Sequence, residues 1–169
     1  MSASWLFGLT LVSALGCGLI AGVFFAFSTF VMKSLVRLPG AQGIAAMQSI
    51  NIVVINPLFM TAFLGTAATC ALLVVSALLS WRRPGAACLL AGGLLYIVGT
   101  VLVTMAFNVP RNDALAAVDP ARAEGARLWA RYVVEWTAWN HVRTVAALAA
   151  ATLLTVALYL GRDAGSAPL

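Results

Sequence analysis

Four long apolar runs constrain this chain more than any other feature of its sequence. They extend over residues 5–32, 57–81, 86–107 and 142–160, and few polar side chains interrupt them. A helix needs about 20 apolar residues to cross the hydrocarbon core of a bilayer, and about 17 to 25 are tolerated. Each run is long enough, so the sequence predicts an all-α membrane protein with four transmembrane helices.

The composition supports this class. Of the 169 residues, 63% are hydrophobic and 9% are charged, whereas a soluble domain is close to half apolar and a quarter charged. A water-soluble fold of this size would have too little polar surface to cover itself. We do not expect the first run to be a signal peptide, because MSASW contains no basic residue and the run is too long for one. The chain is predicted to be a multi-pass protein of the cell membrane.

The connections between the runs differ in length. WRRPG at 81–85 predicts a tight turn, whereas the connector 40–56 is semi-apolar and predicts a short helix at the membrane interface. Asn56 followed by Pro57 is typical of a helix start. Residues 108–141 form the largest segment outside the membrane. Two crossings separate this segment from the connector, so both lie on the same side, where a site can be assembled.

These elements predict a four-helix bundle with an interfacial connector helix and an extramembrane extension of the fourth helix. Small residues recur every four positions in the first run, at Ala14, Gly18, Gly22 and Ala26. Because close van der Waals contact drives helix association in lipid, we expect this stripe to pack inside the bundle, although a homo-oligomer stays open. We expect one domain over residues 1–169, with helices at about 5–34, 57–81, 86–107 and 121–160, the last crossing the membrane with its part 142–160.

Polar residues concentrate just before the fourth run, in EWTAWNHVRT. Between Pro120 and Gly161 no further proline interrupts a helix. At about 100° per residue, one face of that helix carries aromatic and polar side chains, and charged residues occupy the opposite face. An interfacial aromatic belt would explain the Trp and Tyr residues, but it explains the Asn and Arg less well. The first face holds Trp129, Tyr132, Trp136, Trp139, Asn140 and Arg143.

His141 is the only histidine of the chain. It points about 100° away from Asn140, toward the edge of the charged face. His141 could be a solvated imidazole without a function, or it could be a general base. The second role stays open because imidazole is the side chain that changes charge closest to neutral pH. One histidine and three scattered cysteines do not supply a coordination shell for a first-row metal. We therefore expect no metal site within one chain, although a site shared between subunits stays open.

Further polar residues lie on the same predicted side of the membrane. Gln48 and Asn51 lie three residues apart on the connector, and Asn108 and Asn112 follow the third run. Helix capping and turn formation would explain each pair singly. Together with the aromatic face, they predict a polar-lined pocket with aromatic walls.

Four segments in this order resemble the anthrone oxygenase family, and its bacterial branch, known as a domain of unknown function, fits best. They are GLIAGVFFAFSTFVM, AMQSINIVVINPLF, FNVPRNDALA and WTAWNHVRT, and they extend from the first helix to the start of the fourth. The resemblance implies a membrane oxidoreductase, a monooxygenase that inserts one atom of O2 into a lipophilic aromatic phenol or anthrone without a metal or flavin. Fungal members keep the residues equivalent to Asn140 and Arg143, but not reliably a histidine between them.

The implied chemistry assigns roles to the candidate residues. The acidic methylene of an anthrone loses a proton, and the resulting enolate can pass an electron to O2; such a site needs an aromatic pocket, a base and donors to the enolate oxygen. Asn140 and Arg143 would be the donors, and His141 the base, with Asp113 behind it. The substrate-binding candidates are Trp136, Trp139, Asn51, Asn108, Asn112 and Gln48.

Two other functions stay open. The same pocket could hold a lipid, a quinone or a partner helix without catalysis. A small transporter or channel is disfavoured, because the middle of the four runs contains no Asp, Glu, Lys or Arg. The expected partners are a lipophilic small molecule or lipid and the membrane. The net charge of +5 predicts contact with anionic headgroups and not with nucleic acid.

Overall fold

The computed structural model describes residues 2–163, which are helical almost throughout and contain no strand. This confirms the predicted all-α class. Three π-helical segments join shorter α-helices into longer continuous ones, so that five continuous helices result. The π-helical segments are Phe27–Val31, Ile97–Leu102 and Thr104–Asn108. The α-helices are α1 Ala3–Ala26, α2 Met32–Val36, α3 Gly40–Val53, α4 Pro57–Leu79, α5 Ala86–Tyr96, α6 Val109–Ala116 and α7 Ala123–Asp163.

Four of the continuous helices are long and apolar enough to cross a membrane. They span Ser4–Val36, Pro57–Leu79, Ala86–Ala116 and Ala123–Gly161, which confirms the predicted four-helix membrane bundle. The sequence predicted that the third helix ends at Phe107, but the helix continues to Ala116. Its π-helical segments lead directly into α6, whose first turn contains Pro110.

The bundle core forms where α7 packs against α1 and α5, and where α4 packs against α1 and α5. Fully buried residues of each helix meet there, among them Cys17, Cys70, Tyr96 and Leu154. The hydroxyl of Tyr96 donates to the Phe63 carbonyl at 3.1 Å and thereby links α5 to α4. A buried hydroxyl with such a partner avoids the penalty of an unpaired polar group in an apolar core.

We had expected the small-residue stripe of the first helix to pack inside the bundle, but its two glycines do not. Gly18 and Gly22 are exposed, and a Cβ added to either would meet nothing within 4 Å. The packed face is instead built by Ala14, Cys17, Ala21 and Phe24. Their alternating spacing of three and four residues follows the period of the helix. A strict four-residue repeat drifts around it by about 40° per step.

A second core lies at the end of the bundle that carries α3 and α6. Ile44 and Met47 of α3 are buried there against Trp129, Tyr132 and Leu115. The connector helix and the first half of α7 therefore lie on the same end of the molecule, as predicted. The functional candidates are found where this second core meets the first.

Candidate functional site

A cavity of about 300 Å³ lies between the two cores. This volume is at the lower end of the range for small-molecule sites, about 300 to 1,000 Å³. Aromatic and aliphatic side chains form most of its wall, and a few polar groups reach it. The lining includes Phe24 and Phe27 of the first helix, Met47 and Asn51 of α3, Phe59 and Phe63 of α4, Thr104 and Asn112 of the third helix, and Trp136 and Arg143 of α7.

Arg143 is the charged group of this cavity, and it is only 4% exposed. Its Nη1 donates to Thr104 Oγ1 at 3.2 Å, and its Nη2 donates to Asn140 Oδ1 at 2.6 Å. The guanidinium carbon lies 4.2 Å from the ring centroid of Phe24 and 5.0 Å from that of Trp136. Ring faces attract a cation in this geometry, and a water-poor environment strengthens the attraction.

No carboxylate pairs with Arg143 in the described part of the chain. The two ion pairs found there join Arg111 to Glu135 and Arg122 to Asp119. Nε of Arg143 is buried and has no hydrogen-bond partner among residues 2–163. A buried charge normally requires a counter-charge or full hydrogen bonding. The cavity therefore presents a positive charge whose partner is not supplied by these residues.

Asn140 orients the guanidinium of Arg143. Its Nδ2 donates to the Phe24 carbonyl and to Ser28 Oγ, both at 2.7 Å, so that Oδ1 faces Arg143. The hydroxyl of Thr144 donates to the Asn140 carbonyl at 2.8 Å. Asn140 is fully buried, and both of its side-chain polar atoms are used within the protein. It is therefore a positioning residue that links the first helix to Arg143.

Two hydroxyl-bearing neighbours of Asn140 and Arg143 lie in π-helical segments. Ser28 is part of Phe27–Val31, and Thr104 is part of Thr104–Asn108. Such segments widen a helix locally, and they are frequent at functional sites. In this protein they occur on both helices that face the polar part of α7.

Two asparagines add hydrogen-bonding groups to the cavity. Asn112 Oδ1 accepts from the hydroxyl of Tyr132 and from Trp136 Nε1, each at 2.9 Å, so the amide nitrogen is the part left to donate to a ligand. Nδ2 of Asn51 is buried and has no partner in the described chain. With Arg143, these groups make the polar part of the cavity rich in donors. Such a set suits a ligand with an anionic or strongly polar oxygen.

Three predicted substrate-binding residues lie outside the cavity. Trp139 stacks on Phe107, with ring centroids 3.5 Å apart and planes 8° apart. Asn108 is buried and donates to the Trp136 carbonyl at 3.2 Å. Gln48 donates through Nε2 to the carbonyls of Leu115 and Val118, at 2.8 and 3.1 Å. All three contribute to helix packing where the structure places them.

Neither predicted base reaches Arg143. His141 is exposed and lines a separate open groove with Lys33 and Arg37, and Asp113 is exposed as well. The separation of His141 follows from its angle of about 100° to Asn140 on the same helix. The cavity lining contains no imidazole and no carboxylate. Among the described residues there is also no group of three His, Cys, Asp or Glu side chains that could hold a metal ion.

Phe24, Ser28 and Thr104 belong to the site, although sequence reasoning missed them. Ser and Thr in apolar helices usually bond back to a carbonyl of the preceding turn, and Thr104 does so to Thr100 at 2.7 Å. Their residue types therefore gave no signal that separates them from other hydroxyls in the four runs. Phe24 is one of several phenylalanines in its segment.

The fold and the cavity define a helical membrane protein with a buried, aromatic-walled cationic site. The chain belongs to the anthrone oxygenase family: the family model, described as anthrone oxygenase, matches residues 59–153, more than half of the chain. The matched part includes Thr104, Trp136, Asn140 and Arg143, and it confirms the family resemblance. No curated protein and no solved structure matches the chain.

Proposed function

We propose that this protein is a cofactor-independent oxygenase that binds a lipophilic aromatic phenol or anthrone as its anion. The observation that carries the proposal is the buried guanidinium of Arg143, which lines an aromatic cavity and has no carboxylate partner among the described residues. Membership of the anthrone oxygenase family supports chemistry with O2.

A substrate oxyanion would supply the counter-charge that Arg143 lacks. Charge–charge attraction is much stronger in a water-poor cavity than in bulk water. A site that binds the anion more tightly than the neutral molecule lowers the pKa of the bound substrate. The substrate can then lose its proton to water, and no side chain that accepts a proton is required in the cavity. This accounts for a lining without imidazole or carboxylate.

The reaction balances with O2 as the only oxidant. The bound enolate passes one electron to O2, and the two radicals combine at the former methylene carbon to give a peroxide. Protonation and loss of water break the O–O bond, so that one oxygen atom stays as a new carbonyl and the other leaves as water. Arg143, Asn51 and Asn112 act as donors to the enolate oxygen, while Phe24 and Trp136 hold the ring system.

Turnover of 1,8-dihydroxyanthrone tests the proposal. The protein in lipid nanodiscs is supplied with O2 labelled with oxygen-18, and the quinone product is analysed by mass spectrometry against empty nanodiscs. We expect faster conversion than in the empty nanodiscs, with one labelled atom in each product molecule. Arg143→Lys keeps the charge but loses the planar fork, so the rate should fall by about tenfold or more.

Arg127→Lys is the matched control, because Arg127 is exposed on the same helix. It should leave the rate unchanged. A rate equal to that of empty nanodiscs, or an Arg143→Lys variant as fast as the unaltered protein, would contradict the proposal.

A non-catalytic membrane protein that binds a lipid or quinone is the second candidate. The absence of an imidazole or carboxylate that could act as general base from the cavity lining favours it. It predicts that 1,8-dihydroxyanthraquinone binds in a manner that depends on Arg143, without any conversion of the anthrone above the background rate.

A further inference from the structure

The outer wall of the cavity is also part of the lipid-facing surface of the bundle. Four lining residues are strongly exposed on the outside, namely Ile55 at 72%, Leu64 at 49%, Met105 at 63% and Val109 at 40%. Ile55 lies just before α4 and Leu64 lies within it, and the other two lie on the third helix. A side chain that touches both the cavity and the exterior marks a place where the wall is one residue thick.

The two helices that carry these residues separate at this level. α4 packs against α5 and against Ile97–Leu102, but it makes no comparable contact with Thr104–Asn108 or with α6. Tyr96 links the pair through its hydrogen bond to the Phe63 carbonyl. The third helix therefore leaves α4 after the first of its two π-helical segments. A gap opens between them beside the cavity.

We propose that this gap is a lateral portal through which the substrate enters from the bilayer. The proposal rests on the proposed function and adds a route and a substrate class to it. Leu64 lies seven residues into α4, about 10 Å from its start. The portal thus lies beside the membrane-spanning helix Pro57–Leu79, close to the end of the bundle that carries α3.

The rim of the portal limits the kind of molecule that can pass. All four rim residues are apolar, and burying a charged or strongly polar group against them without a partner is unfavourable. Arg143 offers one site for an anionic oxygen inside. The structure therefore favours a flat apolar molecule with one acidic oxygen, which would bind to Arg143. It disfavours phosphorylated or glycosylated substrates.

Narrowing the portal should slow binding without weakening it. Met105→Trp places a larger side chain on the rim, and Leu72→Trp is the control, because Leu72 is 54% exposed on α4 and does not line the cavity. Association and dissociation of 1,8-dihydroxyanthraquinone in nanodiscs are followed by stopped-flow absorbance. We expect Met105→Trp to lower both rate constants by about tenfold and to keep Kd within about twofold. The control should bind as fast as the unaltered protein.

Rates of Met105→Trp equal to those of the control would overturn the portal. This result differs from failure of the proposed function, in which the unaltered protein would not bind the probe or Arg143→Lys would bind it equally well.

A second measurement needs no ligand. Val23 lines the cavity from the first helix, and Val23→Cys can be introduced after replacement of Cys17, Cys70 and Cys88 by alanine. A pyrene maleimide dissolved in the bilayer should label this thiol, and Met105→Trp should slow the labelling about tenfold. Equal labelling rates with and without Met105→Trp would contradict the portal, whatever the outcome of the binding assay.

Discussion

Arg143 Nη2 donates a hydrogen bond to Asn140 Oδ1 at 2.6 Å, one turn earlier on α7. Asn140 can accept this bond because its Nδ2 is directed to the Phe24 carbonyl and to Ser28 Oγ on the first helix. The orientation of the cation therefore depends on a contact between residues 116 positions apart. This relationship joins the packing of the bundle to the chemistry of the cavity.

Arg143→Met should abolish binding of the anionic ligand without lowering stability. Methionine fills a similar length of space, and it removes a buried charge that has no carboxylate partner among the described residues. The apparent Tm in one detergent should change little, because loss of the unpaired buried charge offsets loss of the donor to Asn140 Oδ1, while 1,8-dihydroxyanthraquinone no longer binds. A large fall in Tm would show that the guanidinium is mainly structural.

Thr104→Asp should weaken anion binding by supplying an internal counter-charge. Thr104 Oγ1 lies 3.2 Å from Arg143 Nη1, so a carboxylate at this position would form an ion pair with the guanidinium. Kd for the anionic ligand should rise by about tenfold or more, since ligand and carboxylate compete for one cation. Asparagine has the same shape as aspartate without the charge, so the Thr104→Asn variant should bind the anionic ligand nearly as well as the unaltered protein. Equal affinities of the Asp and Asn variants would argue against an anionic ligand.

Gly93→Ala and Gly18→Ala should have opposite effects on stability. A Cβ at Gly93 would lie 2.6 Å from Val74 Cγ2 and 2.9 Å from the Cys70 carbonyl oxygen, so α4 and α5 would have to move apart. Overpacking of this kind destabilises by about 1 to 3 kcal/mol. A Cβ at Gly18 meets nothing within 4 Å, and alanine is the better helix former by up to about 1 kcal/mol. Thermal unfolding of both variants in the same detergent checks the difference, and equal Tm values would contradict the packing of α4 on α5.

His141→Gln should leave turnover of the anthrone unchanged. His141 is exposed and lines the groove with Lys33 and Arg37, outside the cavity. The steady-state rate in nanodiscs, measured across neutral pH, should match that of the unaltered protein. A loss comparable to that of Arg143→Lys would restore His141 as the general base.

Much of the architecture followed from local properties of the sequence. The apolar runs determined the four membrane helices, because backbone groups in a bilayer must be paired within each segment. The period of the α-helix placed Trp136, Asn140 and Arg143 on one face of α7 and turned His141 away from them. Two crossings between the long connections placed α3 and the first half of α7 on one end.

Only the tertiary structure decided which residues of other helices face Arg143. Phe24 and Thr104 contact it and Ser28 contacts Asn140, whereas Trp139, Asn108 and Gln48 are used in packing elsewhere. Only the tertiary structure also showed that Gly18 and Gly22 lie on the exterior of the bundle. The angle of a residue around its own helix follows from its position along the chain. The rotation of one helix against another depends on how side chains from distant segments interlock, and no local pattern of the sequence specifies that.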